Sequence, residues 1–131
     1  MEDDIAIYLA KAAESLLTAE SELINGRYNS CANRCYYACF QAAIAAVLSE
    51  GIRGLGDQWP HTFVQAVFAG QLINRRHRYP ATLRSTLGDL QHLRHRADYK
   101  TDLITRTEAT RGLRRCRELV TAVRQETGER P

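Results

Sequence analysis

Cys31-Ala32-Asn33-Arg34-Cys35-Tyr36-Tyr37-Ala38-Cys39-Phe40-Gln41-Ala42-Ala43-Ile44-Ala45-Ala46-Val47-Leu48 is the stretch on which the fold turns. Wound at about 100° per residue, Cys31, Cys35, Cys39, Ala42 and Ala46 fall on one stripe of small side chains. Tyr36, Phe40, Ala43 and Val47 form a second stripe, and Tyr37, Ile44 and Leu48 a third. A helix that is apolar nearly all round must be surrounded by protein. This one is expected at the centre of a bundle, where a second subunit could help to cover it. It runs from about Asn29 to Glu50 and is closed by Gly51.

Outward from this helix, no stretch of useful length alternates with period two, and the helical period recurs. Upstream, about Asp4 to Ile24, the residues Ile5, Leu9, Ala12, Leu16, Ala19 and Leu23 share a stripe that Asn25-Gly26 ends. Downstream, a glycine-rich loop from Gly51 to Gln58 leads to Pro60, expected as the first residue of a helix reaching about Asn74. Arg75 to Tyr79 reads as a basic connector, and Pro80 is expected to open a fourth helix ending near Tyr99. Thr105 and Glu108 are spaced as a capping box, starting a last helix whose core side is Leu113, Cys116, Val120 and Val123. Gly128 to Pro131 reads as a frayed end. The expectation is a single all-α domain over residues 1–131, an antiparallel bundle of four to five helices.

Composition agrees with a globular chain: 131 residues, 44% hydrophobic and 25% charged, too apolar for disorder. The uncharged run Cys35 to Ser49 on this central helix is 15 residues, short of the ~20 a spanning helix needs, so no membrane association is expected. The opening Met-Glu-Asp-Asp has the wrong sign for a secretory leader, which points to the cytoplasm and to four reduced cysteines. Charge is uneven. Residues 1–24 carry one base against six acids, whereas residues 61–100 carry seven bases against two acids. Sixteen of the eighteen bases are arginine, whose planar fork suits phosphate oxygens.

Few residues read as chemical groups. Cys31 and Cys39 would lie ~12 Å apart along a helix, too far to share one zinc, and neither Cys-x-x-Cys nor His-Glu-x-x-His occurs. No metal and no cofactor is expected. No serine sits in a Gly-x-Ser-x-Gly context, and the Gly51–Gly56 loop lacks the Gly-Lys-Ser/Thr of a phosphate loop. On the fourth helix, Leu83, Leu87, Leu90 and Ala97 define a core stripe into which Arg94 falls, with Asp98 one turn on. A charge on an apolar stripe needs a partner, so Arg94 and Asp98 are expected to pair, with Arg34 and Gln41 of the second helix as candidates for the same network. His92, His95, Arg96 and Tyr99 are expected to point outward, His95 and Tyr99 close enough to meet. His61, in the first turn of its helix, reads as a capping or packing residue.

The segment Asn33-Arg34-Cys35-Tyr36-Tyr37-Ala38-Cys39-Phe40, His61 opening a helix, and Arg94-x-x-Ala97-Asp98-Tyr99 closing one together resemble the HEPN family of small prokaryotic helical domains. The resemblance extends over most of the chain. It implies an antiparallel four- or five-helix bundle that forms a homodimer. It also implies a minimal nucleotidyltransferase as partner in a toxin–antitoxin pair, in which that enzyme transfers a nucleotide to the tyrosine matching Tyr99. Many relatives are metal-independent ribonucleases with an Arg-x(4–6)-His motif beside a dimer groove.

This chain departs from that motif. Aligning Tyr99 with the family's Arg-x4-His-x-Tyr puts Ala97 at the histidine and His92 at the arginine. No arginine stands five to seven residues before any of the four histidines. Loss of a general base costs typically 10²- to 10⁴-fold in rate. Three readings follow. One is an RNA- or nucleotide-binding module using Arg34, Arg94 and Arg96. Another is a toxin-type ribonuclease with a modified site of Arg94, His95, Asp98 and Tyr99. The third keeps Arg94 and Asp98 only as an ion pair that fixes the fold.

Overall fold

The computed structural model describes residues 2–127, and among them the chain is all-α. Helix α1 spans Glu2–Ile24, α2 Tyr28–Ser49, α3 His61–Val67, α4 Thr86–Tyr99 and α5 Arg106–Glu126. The ends of the first two helices follow from their glycines. Gly26 (φ 75°) and Gly51 (φ 79°) take the left-handed conformation, letting Arg27 N–H reach Glu22 O and Ile52 N–H reach Val47 O. The capping box of α5 is present, with Glu108 N–H donating to Thr105 Oγ1 and Thr105 N–H to Glu108 Oε1, each at 3.1 Å. The expected frayed end, Gly128 to Pro131, lies outside the described residues.

Helix α2 is the axis of the bundle. It packs against α1, α3, α4 and α5, and every residue from Ala42 to Leu48 is buried. Its all-round apolar surface is thus covered by the chain's own helices. The small stripe does what its side chains allow: Cys31, Cys35 and Cys39 are wholly buried, and Cys39 Sγ lies 3.8 Å from the Cys116 carbonyl oxygen of α5. Hydrogen bonding among the cysteines first, and burial after it, push the Cys31, Cys35 and Cys116 thiols up in pKa, so they stay protonated. Truncating a wholly buried aliphatic residue such as Leu72 or Leu119 would cost about 2–5 kcal/mol. Among the described residues no helix is long and apolar enough to cross a membrane.

The middle of the chain differs from expectation in three ways. Pro60 is extended (φ −60°, ψ 139°) and caps α3 from outside, because a proline fixes φ but leaves ψ free. Helix α3 runs on from Val67 as a π-helical stretch, Phe68–Arg75, from which Phe68, Leu72 and Ile73 are buried. Pro80 opens only a short 3₁₀ turn, Ala81–Leu83, and α4 begins at Thr86. The basic connector is partly neutralised, since Arg76 and Arg78 both reach Glu50 at 3.2 Å.

Candidate functional site

Three helices converge where the aromatic pair of α2 meets α3 and α4. Tyr36 and Tyr37 stand edge to face, with centroids 5.4 Å apart. Arg94 of α4 lies with its guanidinium carbon 5.5 Å from each of these rings and 6.0 Å from Tyr99. Its Nη1 donates to Tyr37 Oη at 3.3 Å and to Asp98 Oδ2 at 3.4 Å. The expected pairing of Arg94 with Asp98 is therefore present, with side chains 15% and 27% exposed. It is a long contact, and it leaves Arg94 short of partners. Arg94 Nε is buried without one, and Nη2 has none among the described residues.

Asn33 ties the second helix to this pair. Its Nδ2 donates to Asp98 Oδ2 at 3.0 Å, while its Oδ1 accepts from Arg34 Nε (2.9 Å) and Nη2 (2.7 Å). Arg34 also lies over the Tyr37 ring at 5.1 Å. Arg34 thus joins the network through Asn33. Gln41 does not join it. Two turns further along α2 it faces α1 instead, hydrogen-bonding the Ser15 hydroxyl at 2.8 Å, with its amide nitrogen placed to donate to the Lys11 and Tyr37 carbonyls. Beside Asn33, Arg34 and Asp98 opens a cavity of about 340 Å³, walled also by Thr18, Glu22, Asn29 and Ser30. Its size suits a small polar ligand.

His61 belongs to the same cluster, which its place in the first turn of α3 did not reveal. Its Nδ1 lies 2.7 Å from Tyr36 Oη and 3.3 Å from Gln91 Nε2, and its ring packs 4.4 Å from Phe40. Burial first and the Arg94 charge second hold its pKa below the ordinary histidine value, so the ring stays neutral. Burial pushes the Tyr36 hydroxyl up to about 12, so it keeps its proton and can donate. The signal for this group was in the sequence: Tyr36, Tyr37 and His61 all lie in the segments that carry the family resemblance. What was missing was their mutual distance.

The outer residues sort differently. Tyr99 is 67% exposed at the end of α4, and the His95 ring meets it at a tilt with centroids 5.1 Å apart, as their one-turn spacing implied. Arg96 turns away from the site. Its Nη2 donates to Asp102 at 2.7 Å and its Nη1 makes a short bond to Glu108, the capping-box residue of α5. Arg94, Asp98, Tyr99 and Arg34 are thus brought together, with His95 at the rim and Arg96 in a separate ion cluster. Among the described residues, no three His, Cys, Asp or Glu side chains gather as a metal site.

This architecture has a family. The HEPN domain model matches residues 5–126, nearly the whole chain. The chain belongs to the HEPN family. No curated protein matches it. As a HEPN domain it falls among proteins of nucleotide- and RNA-related function. The Arg94–Asp98–Tyr99 end of α4 and the Asn33–Tyr37 face of α2 are the parts of this HEPN bundle that meet around an incompletely satisfied arginine.

Proposed function

We propose that this HEPN chain is the RNA- or nucleotide-binding member of a nucleotidyltransferase–HEPN toxin–antitoxin pair, acting as a cytoplasmic homodimer. The observation that carries the binding reading is Arg94, a largely buried guanidinium whose Nη2, not among its buried atoms, finds no partner among the described residues. An arginine held on aromatic faces with donors to spare suits a phosphate oxygen. Arg34 and the adjoining polar cavity supply further donors and acceptors for the rest of a nucleotide. Arg96 is engaged by two carboxylates, so the anion contact is assigned to Arg94 and Arg34.

The partner reading rests on the family resemblance and is supported by Tyr99, whose exposed ring at the end of α4 leaves it accessible to a modifying enzyme. The homodimer reading also rests on the family. Supporting it, Ile24 at the end of α1 and Leu103 in the α4–α5 connector are large exposed apolar side chains, with Leu103 beside the Gly26–Ser30 segment that follows Ile24. The second reading, a toxin-type ribonuclease with a modified site, is favoured by His95, exposed against Tyr99 and one residue from Arg94.

The test is binding of a short single-stranded RNA over a salt series, followed by fluorescence anisotropy. Log affinity should fall linearly with log salt, by about 0.7 per phosphate neutralised. Binding that ignores salt, or no binding at low salt, overturns the reading. Metal-independent cleavage of the RNA that disappears in His95→Ala would establish the ribonuclease instead. Incubated with a cognate nucleotidyltransferase and nucleoside triphosphate, the chain should gain a nucleotide that Tyr99→Phe cannot accept.

A further inference from the structure

His61 is oriented more completely than a packing residue requires. Gln65 Nε2 donates to Gln91 Oε1 at 2.5 Å, and in that arrangement the Gln91 amide nitrogen lies 3.3 Å from His61 Nδ1. With that amide nitrogen as donor, His61 Nδ1 is the acceptor. The Tyr36 hydroxyl, 2.7 Å away and holding its proton, is placed to donate to the same nitrogen. A neutral imidazole whose Nδ1 accepts carries its proton on Nε2. That second nitrogen has no hydrogen-bond partner among the described residues.

The ring is held as firmly as its tautomer. It packs on Phe40 at 4.4 Å and Tyr36 at 5.3 Å, and meets Tyr37 edge to face at 6.3 Å. Arg94 lies over the same two tyrosines from α4. Two helices therefore bring donors without partners to one aromatic floor, a neutral N–H from α3 and a guanidinium from α4. The charged group facing His61 is Arg94, which disfavours a second positive charge on the ring.

We propose that His61 is a binding residue that presents a neutral Nε2–H to a phosphate group of the ligand received by Arg94. This rests on the anion-binding reading of Arg94 and goes beyond it, because it gives the site a second donor. It also fixes what His61 does not do: with its proton on Nε2 it cannot serve there as the general base missing from the sequence motif. Neutral donor and cation together match an oxygen-rich anion such as a phosphodiester, with the imidazole adding direction to the charge of the arginine.

The experiment is long-range ¹H–¹⁵N NMR of the histidine side chains in the full chain at neutral pH, titrated first with inorganic phosphate and then with single-stranded RNA. The expected result is a neutral Nε2–H tautomer for His61 and a shift of its Nε2 and ring-proton signals with either ligand. His61→Phe, which keeps an aromatic ring against Phe40 but has no N–H, should weaken RNA binding roughly tenfold, and His61→Gln, which retains a donor, should weaken it less. An Nδ1–H tautomer or an imidazolium at neutral pH overturns the proposal without reference to any variant. Movement of the Arg94 side-chain signals while His61 stays still also overturns it, and leaves the Arg94 reading standing. If neither residue responds and RNA does not bind, both readings fall.

Discussion

Arg94 and Arg96 stand two residues apart on the same helix and have been given opposite situations. Arg96 lies between Asp102 and Glu108, two carboxylates from the α4–α5 connector and the first turn of α5, and its guanidinium fork is well satisfied. Among the described residues, Arg94 faces inward over three tyrosine rings, with one distant carboxylate and a buried Nε–H that nothing accepts. The difference teaches how to tell a strut from a site. A saturated arginine holds two elements together and has nothing left to offer a ligand. An arginine kept short of acceptors stays in its position only because the surrounding packing imposes it, and Nη2, which is not among its buried atoms, is the donor left for an incoming anion.

The largest expected effect separates the two arginines by binding. Arg94→Ala should lower RNA affinity by roughly 10- to 100-fold, the loss of one or two charge-assisted hydrogen bonds, as measured by anisotropy at fixed salt. Its stability cost should be no more than about 1–2 kcal/mol in a denaturant melt, because Asp98 keeps Asn33 and partial exposure. If Arg94→Ala instead fails to fold, the pair is a buried structural one and the comparison breaks.

Arg96→Ala should do the reverse. RNA affinity should stay within about threefold, since that arginine is not assigned to the ligand, while the α4–α5 connector loosens. Faster amide exchange at Ile104 and Thr105 would be the readout. A binding loss equal to that of Arg94→Ala would show that Arg96 exchanges its carboxylates for phosphate.

A smaller effect sharpens the contrast through pH. Arg96 and the Thr105 cap pull the Glu108 carboxyl down to about 2 from an ordinary value of 4.5. The unfolded chain therefore takes up this proton first. The stabilisation is complete above about pH 4.5 and is lost as pH falls from there toward 2, so Glu108→Gln should flatten the acid limb of a stability–pH curve. His61 acts in a milder range. Its pKa is lowered by burial and by Arg94, so the neutral ring's contribution is whole above the ordinary value of 6.5 and declines as pH falls below it. His61→Phe should remove that decline while leaving the Glu108 limb in place.

Much of the architecture is legible without coordinates because it is set by local rules. The all-round apolar stripes of Cys31 to Leu48 require a central helix, and Gly26 and Gly51 end α1 and α2 through a backbone conformation that glycine adopts freely. The Thr105–Glu108 box starts α5 by contacts three residues apart, and Arg94 meets Asp98 across one helical turn for the same reason. The prolines were less informative. Pro60 and Pro80 mark the neighbourhood of a helix start, but whether the next turn is α or 3₁₀ depends on packing that φ at one residue does not fix.

The sequence by itself therefore determined an all-α bundle, its central helix, its main boundaries, its HEPN character and the helix end carrying Arg94, Asp98 and Tyr99. Only the tertiary structure decided which arginine is satisfied, that Asn33 rather than Gln41 reaches Asp98, and that His61 sits in the site with its Nδ1 occupied. The physical reason is range. Helix periodicity and capping act over three or four residues. A hydrogen bond from Asn33 to Asp98 spans 65 residues of chain and one from Tyr36 to His61 spans 25, so those partners are set by how α2, α3 and α4 pack.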